Sequence, residues 1–124
     1  VTSEIAKNIL NLTQKWNVTN IYIDSAAAQT RADFAYEYDI YCEKAVKSIE
    51  DGILYLQNLV EKDLLLFDEN NAKYTFNAMS TYRWNQKTEK EKPIHDDSSH
   101  ASDAVRYGIY SFHRAKVSIY SENL

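Results

Sequence analysis

The chain has 124 residues, 44% of them hydrophobic and 26% charged, with a formal net charge of −4. That length suits one domain with a single core, the composition excludes a disordered chain, and the acidic balance excludes a domain that grips nucleic acid by bulk electrostatics alone, leaving local basic clusters as the route to phosphate. No apolar run approaches the roughly 20 residues of a membrane span and no signal-peptide pattern opens the chain, so the expectation is a soluble, cytoplasmic protein.

Ile5, Ile9, Leu12 and Trp16 fall at i, i+4, i+7 and i+11, which predicts a helix starting at Thr2 or Ser3 and packing through that face. The segment from Asn20 to Asp24 is short, β-branched and aromatic, and reads as a buried strand ending on an acid. From Ser25 to about Tyr38 the alanines, Arg31 and Phe34 predict a helix, and Ile40-Tyr41-Cys42 a second strand. Ile49, Ile53, Leu56 and Val60 repeat the helical spacing after Ser48 and Asp51. Leu64 to Phe67 is a candidate for a third, buried strand, although so short an apolar run is not distinguishable from a helix end by period; Asn70 to Thr81 reads as a helix. Arg83 to Asp97 turns polar, with Lys87, Glu89, Lys90, Glu91, Lys92 and Pro93, as in a solvated loop or exposed hairpin. A last helix is expected over about Ser98 to Ala115, with Ala101, Ala104, Val105, Gly108, Ile109 and Phe112 as its apolar stripe.

Strands alternating with helices imply an α/β fold with helices packed on the sheet. Three short strands make a meagre sheet for so many helices, and the chain opens on a helix, so a piece is expected to be missing before Val1. The single cysteine, Cys42, excludes an internal disulfide and reads as a small buried hydrophobe. The sequons at Asn11 and Asn17 carry no weight in a cytoplasmic chain.

The residues that bear chemistry lie around the last helix and the first strand. His100 and Asp103 are about 60° apart on a helical wheel, one turn over the other, where both can converge on one metal ion or one can ligate while the other handles protons. Asp24 sits at the carboxyl end of a predicted strand, where α/β folds build their sites. Should the last helix pack beside that strand end, Asp24 and Asp103 meet; carboxylates that meet repel unless a cation lies between them, and hard oxygens select Mg²⁺ or Mn²⁺. Two such ions about 3.5 to 4 Å apart activate a water and stabilise the leaving oxygen of a phosphodiester. Plainer readings stand beside this one. Asp96 or Asp97 caps the helix, His100 is a surface residue, and Asp103 is a partner for Arg106. Arg83, Lys87, Lys90 and Lys92 are candidates for phosphate contact, against a solvated loop in which Glu89 and Glu91 interleave; Arg31 is a candidate against pairing with a surface acid, and Tyr36, Tyr38 and Tyr41 for base stacking, against core packing. With only two glycines there is no Gly-rich phosphate loop for ATP.

The stretch DDSSHASDAVRYGIY, beginning at Asp96, resembles the closing motif of the nuclease domain in large terminase subunits of tailed bacteriophages and prophages: an acidic loop followed by His-x-x-Asp-Ala-x-Arg-Tyr. IYIDSAAAQTRADFAYEYDI, beginning at Ile21, resembles that domain's middle motif, and CEKAVKSIEDGILYLQNL, beginning at Cys42, is similar to its Lys-x-x-x-Ser-Ile-x-x-Gly-Ile pattern. These stretches follow one another in the family's order over nearly the whole chain.

The resemblance implies a ribonuclease H-like α/β fold, a mixed sheet flanked by helices, with residues 1–124 forming a partial nuclease domain that lacks its first strands and the preceding ATPase motor. It gives Asp24 and Asp103 metal-ligand roles and places His100 at the site as ligand or proton handler. It implies two Mg²⁺ or Mn²⁺ ions in the complete domain and the cutting of concatemeric viral DNA during packaging. The implied partners are double-stranded viral DNA, the terminase small subunit and the portal protein, with no membrane, in the host cytoplasm and transiently at the procapsid portal. One catalytic acid of the family, carried on its leading strand, is absent, so the chain alone is expected to bind metal weakly and cut poorly. The rival readings are a recombination nuclease or transposase of the same fold, and a non-catalytic docking module of the packaging machine.

Overall fold

A computed structural model describes residues 1–80 and 97–122, and within its last helix the side chains of residues 99–119. The chain divides into two compact units, Val1–Val46 and Lys47–Leu124.

The first unit runs α1 (Thr2–Trp16), β1 (Tyr22–Ile23), α2 (Ala28–Tyr38), β2 (Glu43–Lys44). α1 ends where Asn17 turns left-handed (φ 52°) and its N–H is taken by the carbonyl of Thr13; Asn is one of the few side chains that tolerates this region. Asp39 ends α2 the same way at φ 56°. β1 and β2 pair in parallel, Tyr22 opposite Glu43 and Ile23 opposite Lys44, with the Glu43 N–H donating to the Ile21 carbonyl and the Ala45 N–H to that of Ile23, both at 2.8 Å. Parallel neighbours need a crossover, and α2 supplies it. The core is Ala6, Phe34 and Ile40, with Ile9, Ile21, Ile23, Tyr38 and Cys42 packed around them.

The second unit holds α3 (Ile49–Glu61), α4 (Lys73–Ser80) and α5 (Asp97–Glu122). Glu50 and Asp51 in the first turn of α3 complement the positive end of its dipole. Gly52, Ile53 and Leu56 of α3 and Ala78 of α4 are buried, and α5 packs against both helices. Tyr55 of α3 stacks on His113 of α5, ring centroids 4.0 Å apart, with Tyr110 tilted against Tyr55 at 5.8 Å. None of the helices, over the described residues, is long and apolar enough to cross a membrane.

Several expectations are corrected. Leu64 to Phe67 forms no strand: Leu64 and Leu66 are 68% and 80% exposed, and the segment follows a left-handed turn at Asp63. The described sheet is thus one parallel pair, and its second strand lies beyond Ile40–Cys42, because Ile40 is drawn into the core while pairing begins at Glu43. On α1 the inward face centres on Ala6 rather than on Leu12 and Trp16, which are about half exposed, since a small side chain admits the closest helix approach. On α5 the buried residues are Ser99, Ser102, Arg106, Tyr110 and Ser111, whereas Ala104 and Phe112 of the expected stripe are exposed. That helix buries small polar groups and a cation, and a reading by hydropathy looks for the opposite.

Candidate functional site

Asp24 follows β1 directly. Its Oδ1 accepts the N–H of Ala26 at 2.9 Å and its carbonyl accepts that of Ala27 at 2.9 Å, so the side chain closes the turn leading into α2. A half-buried carboxylate is thereby fixed at the carboxyl end of a parallel strand, as the sequence suggests. Arg31, in the first turns of α2, is half-buried and its charge acts on Cys42; burial outweighs that charge and pushes the Cys42 thiol up from its ordinary value, which suits a packing role. Tyr36 and Tyr41 are 93% and 70% exposed, so the expectation that they fill the core fails for both, while Tyr38 does pack against it. The Tyr41 hydroxyl donates to Asp39 Oδ1 at 2.7 Å.

In the second unit, His100 is exposed and Asp103 is half-buried on α5. Asp103 is held by Arg106, whose Nη2 donates to Oδ1 at 3.2 Å, in agreement with the plainer reading of that pair. The same guanidinium sends Nη1 to two backbone carbonyls, Lys47 and Ser48, each at 3.0 Å, just where α3 begins. Arg106 is 4% exposed, lies over the ring of its neighbour Tyr107 at 5.0 Å, and leaves Nε without a partner among the described residues. Gly52 faces its stem: a Cβ there would stand 2.9 Å from both Cγ and Cδ of Arg106.

Asp24 in the first unit and Asp103 in the second each carry a carboxylate held by a hydrogen bond, the donor type that a hard divalent cation takes. Among the described residues no three His, Cys, Asp or Glu side chains converge as a metal-holding group. Asp24 belongs to the first unit; His100 and Asp103 belong to the second, one helical turn apart. Arg83, Lys87, Lys90, Lys92 and the capping candidate Asp96 lie outside the described residues, as does the side chain of Asp97. The residue that sequence reasoning undervalued is Gly52: only its place in the Ser-Ile-x-x-Gly-Ile stretch hints that it is needed there.

No family model matches the chain. The large terminase subunit of Escherichia phage T5 is 39% identical over 120 residues, covering 93% of this chain and 27% of that protein. The solved structure of a large terminase from a thermophilic bacteriophage, in complex with ATP-gamma-S, superposes with a TM-score of 0.77 over 90% of this chain and 29% of that one; at 24% identity it speaks for the fold. Over nine-tenths of its length the chain is homologous to the large terminase subunit of a bacteriophage, and it spans just over a quarter of the length of the relatives it matches.

Proposed function

We propose that the chain is part of the DNA-cutting unit of a phage large terminase, a ribonuclease H-like endodeoxyribonuclease that uses Mg²⁺ or Mn²⁺ to cut concatemeric double-stranded viral DNA during packaging. The observation that carries this reading is Asp24, fixed by its own turn at the carboxyl end of a parallel strand within a β-α-β unit.

In this reading Asp24 and Asp103 each offer a carboxylate to divalent metal. Two such ions, when bound, would supply an activated water and stabilise the leaving oxygen of the phosphodiester. Asp24 holds its carboxylate still through the Ala26 N–H. Asp103 turns Oδ1 to its Arg106 partner, which fixes the direction of the carboxylate. His100, exposed one turn before Asp103, ligates or accepts the proton that hydrolysis releases. Arg31, with Arg83 and Lys87, contacts the DNA phosphates. The terminase small subunit and the portal protein are the partners, in the host cytoplasm and at the procapsid portal. The chain spans 27% of the length of the phage T5 relative, and in this reading it binds metal weakly and cuts poorly by itself.

Mn²⁺ titration followed by electron paramagnetic resonance tests this. The chain is expected to bind Mn²⁺ weakly, and Asp24→Asn and Asp103→Asn are each expected to reduce the affinity about tenfold or more. Absence of binding, or binding untouched by both substitutions, overturns the reading in favour of a non-catalytic docking module.

A further inference from the structure

We propose that Arg106 is the positioning residue for Asp103, and that Gly52 is what lets its side chain reach the place from which it does so. This rests on the reading of Asp103 as a metal ligand. An aspartate on a helix face has several staggered rotamers, only some of which aim its carboxylate at a given point. The Arg106 guanidinium selects among them. It is held at one end by the Lys47 and Ser48 carbonyls, 59 and 58 residues away in sequence, and at the other it grips Asp103 Oδ1 at 3.2 Å. The carboxylate is therefore referenced to the start of α3 as well as to its own helix.

The arrangement depends on the planar fork. Nη1 serves two carbonyls and Nη2 serves the carboxylate, so three acceptors are met from two nitrogens in one plane, which also lies over Tyr107 at 5.0 Å. A lysine ammonium presents its donors from a single point and cannot span that set. The stem reaches the fork position by passing over Gly52, where the Cβ of any larger residue would stand 2.9 Å from Cγ and Cδ. The cation is nearly inaccessible to water, and its charge is met by the carboxylate and the two carbonyl dipoles.

The test is Mn²⁺ titration of the 124-residue chain carrying Arg106→Lys, Asp103→Asn, or both, with a thermal melt of each to confirm folding at the titration temperature. Arg106→Lys keeps the positive charge and loses the fork, so a change in affinity reports geometry rather than field. The expected result is about tenfold weaker binding for Arg106→Lys, in the range set by partners that orient metal ligands, and no further weakening when it is added to Asp103→Asn. A merely structural role would lower the melting temperature and leave the affinity of the folded protein unchanged. If Asp103→Asn has no effect, the metal reading itself is lost. If Asp103→Asn weakens binding while Arg106→Lys does not, or if Arg106→Lys weakens it equally in both backgrounds, the positioning role is overturned and the metal reading survives. Should Arg106→Lys fail to fold, Gly52→Ala displaces the stem with the guanidinium intact and carries the same comparison, with a severalfold loss expected and none overturning the proposal.

Discussion

Gly52 and Arg106 are in contact as backbone against aliphatic stem, close enough that a Cβ on Gly52 would lie 2.9 Å from two carbons of Arg106. The stem has little freedom to move aside, because its head is pinned by hydrogen bonds to Lys47, Ser48 and Asp103. Gly52→Ala therefore sets a helix-propensity gain of about 1 kcal/mol against an overpacking cost of about 1–3 kcal/mol. A net loss of roughly 1 kcal/mol is expected by denaturant unfolding. Gly108, also helical, has nothing within 4 Å of its would-be Cβ, so Gly108→Ala is expected to stabilise by up to about 1 kcal/mol. Equal signs for the two substitutions would refute the steric argument.

Phe34 is 2% exposed and is the largest side chain in the core of the first unit. Phe34→Ala should cost about 3–5 kcal/mol, the range for emptying a buried aromatic site. Tyr36, two residues on and 93% exposed, is the control: Tyr36→Ala should stay within about 0.5 kcal/mol. Chemical denaturation of both variants checks the contrast.

Asp68 accepts N–H bonds from Asn70 at 2.9 Å and Asn71 at 2.8 Å through one carboxylate oxygen, and these hold its carboxyl below its ordinary value. A carboxyl whose folded pKa is depressed contributes stability that is fully present above its unfolded pKa and disappears as pH falls through the folded one. The carboxyl resonance of Asp68 should titrate with a midpoint below 3.8, and Asp68→Asn should remove that part of the acid destabilisation. A midpoint at or above 3.8 would contradict the turn geometry.

Cys42 is half-buried against the core of the first unit and its thiol is pushed up by burial, only partly countered by the charge of Arg31. Its thiolate fraction at neutral pH is accordingly small. Reaction with a thiol-specific disulfide reagent at mildly alkaline pH is expected to run several times slower than for glutathione and to reach the ordinary rate in denaturant. Fast labelling of the native chain would mean that the thiol is neither buried nor raised.

Much of this is legible in the sequence where a pattern is local. The helix from Thr2 to Trp16 and the helix after Ser48 follow from apolar spacing, and Asp24 at a strand end follows from β-branched residues running into an acid. The pairing of Asp103 with Arg106 is a neighbour relation along one helix and is equally readable. What is not readable is non-local or runs against hydropathy. The bonds from Arg106 to Lys47 and Ser48 cross 59 and 58 residues, and no spacing rule anticipates them. Ser99, Ser102 and Arg106 occupy the inward face of α5, where the pattern of alanines points elsewhere. Leu64 to Phe67 carries the composition of a strand and forms a connection with Leu64 and Leu66 exposed, because an apolar run becomes a strand only where a neighbour accepts its backbone bonds.

The parallel pair of β1 and β2 has only two residues in each strand. So short a ladder adds little rigidity of its own, and the order of the first unit comes from the side chains of Phe34, Ala6 and Ile40 gripping the crossover helix against it. Among the described residues, each strand also turns one row of amide and carbonyl groups outward, away from its mate. Those rows are the docking rails on which an extended segment laid alongside would lengthen the sheet sideways, and a lysine at the second rung of β2 is the kind of charge that slows an unwanted segment from doing so.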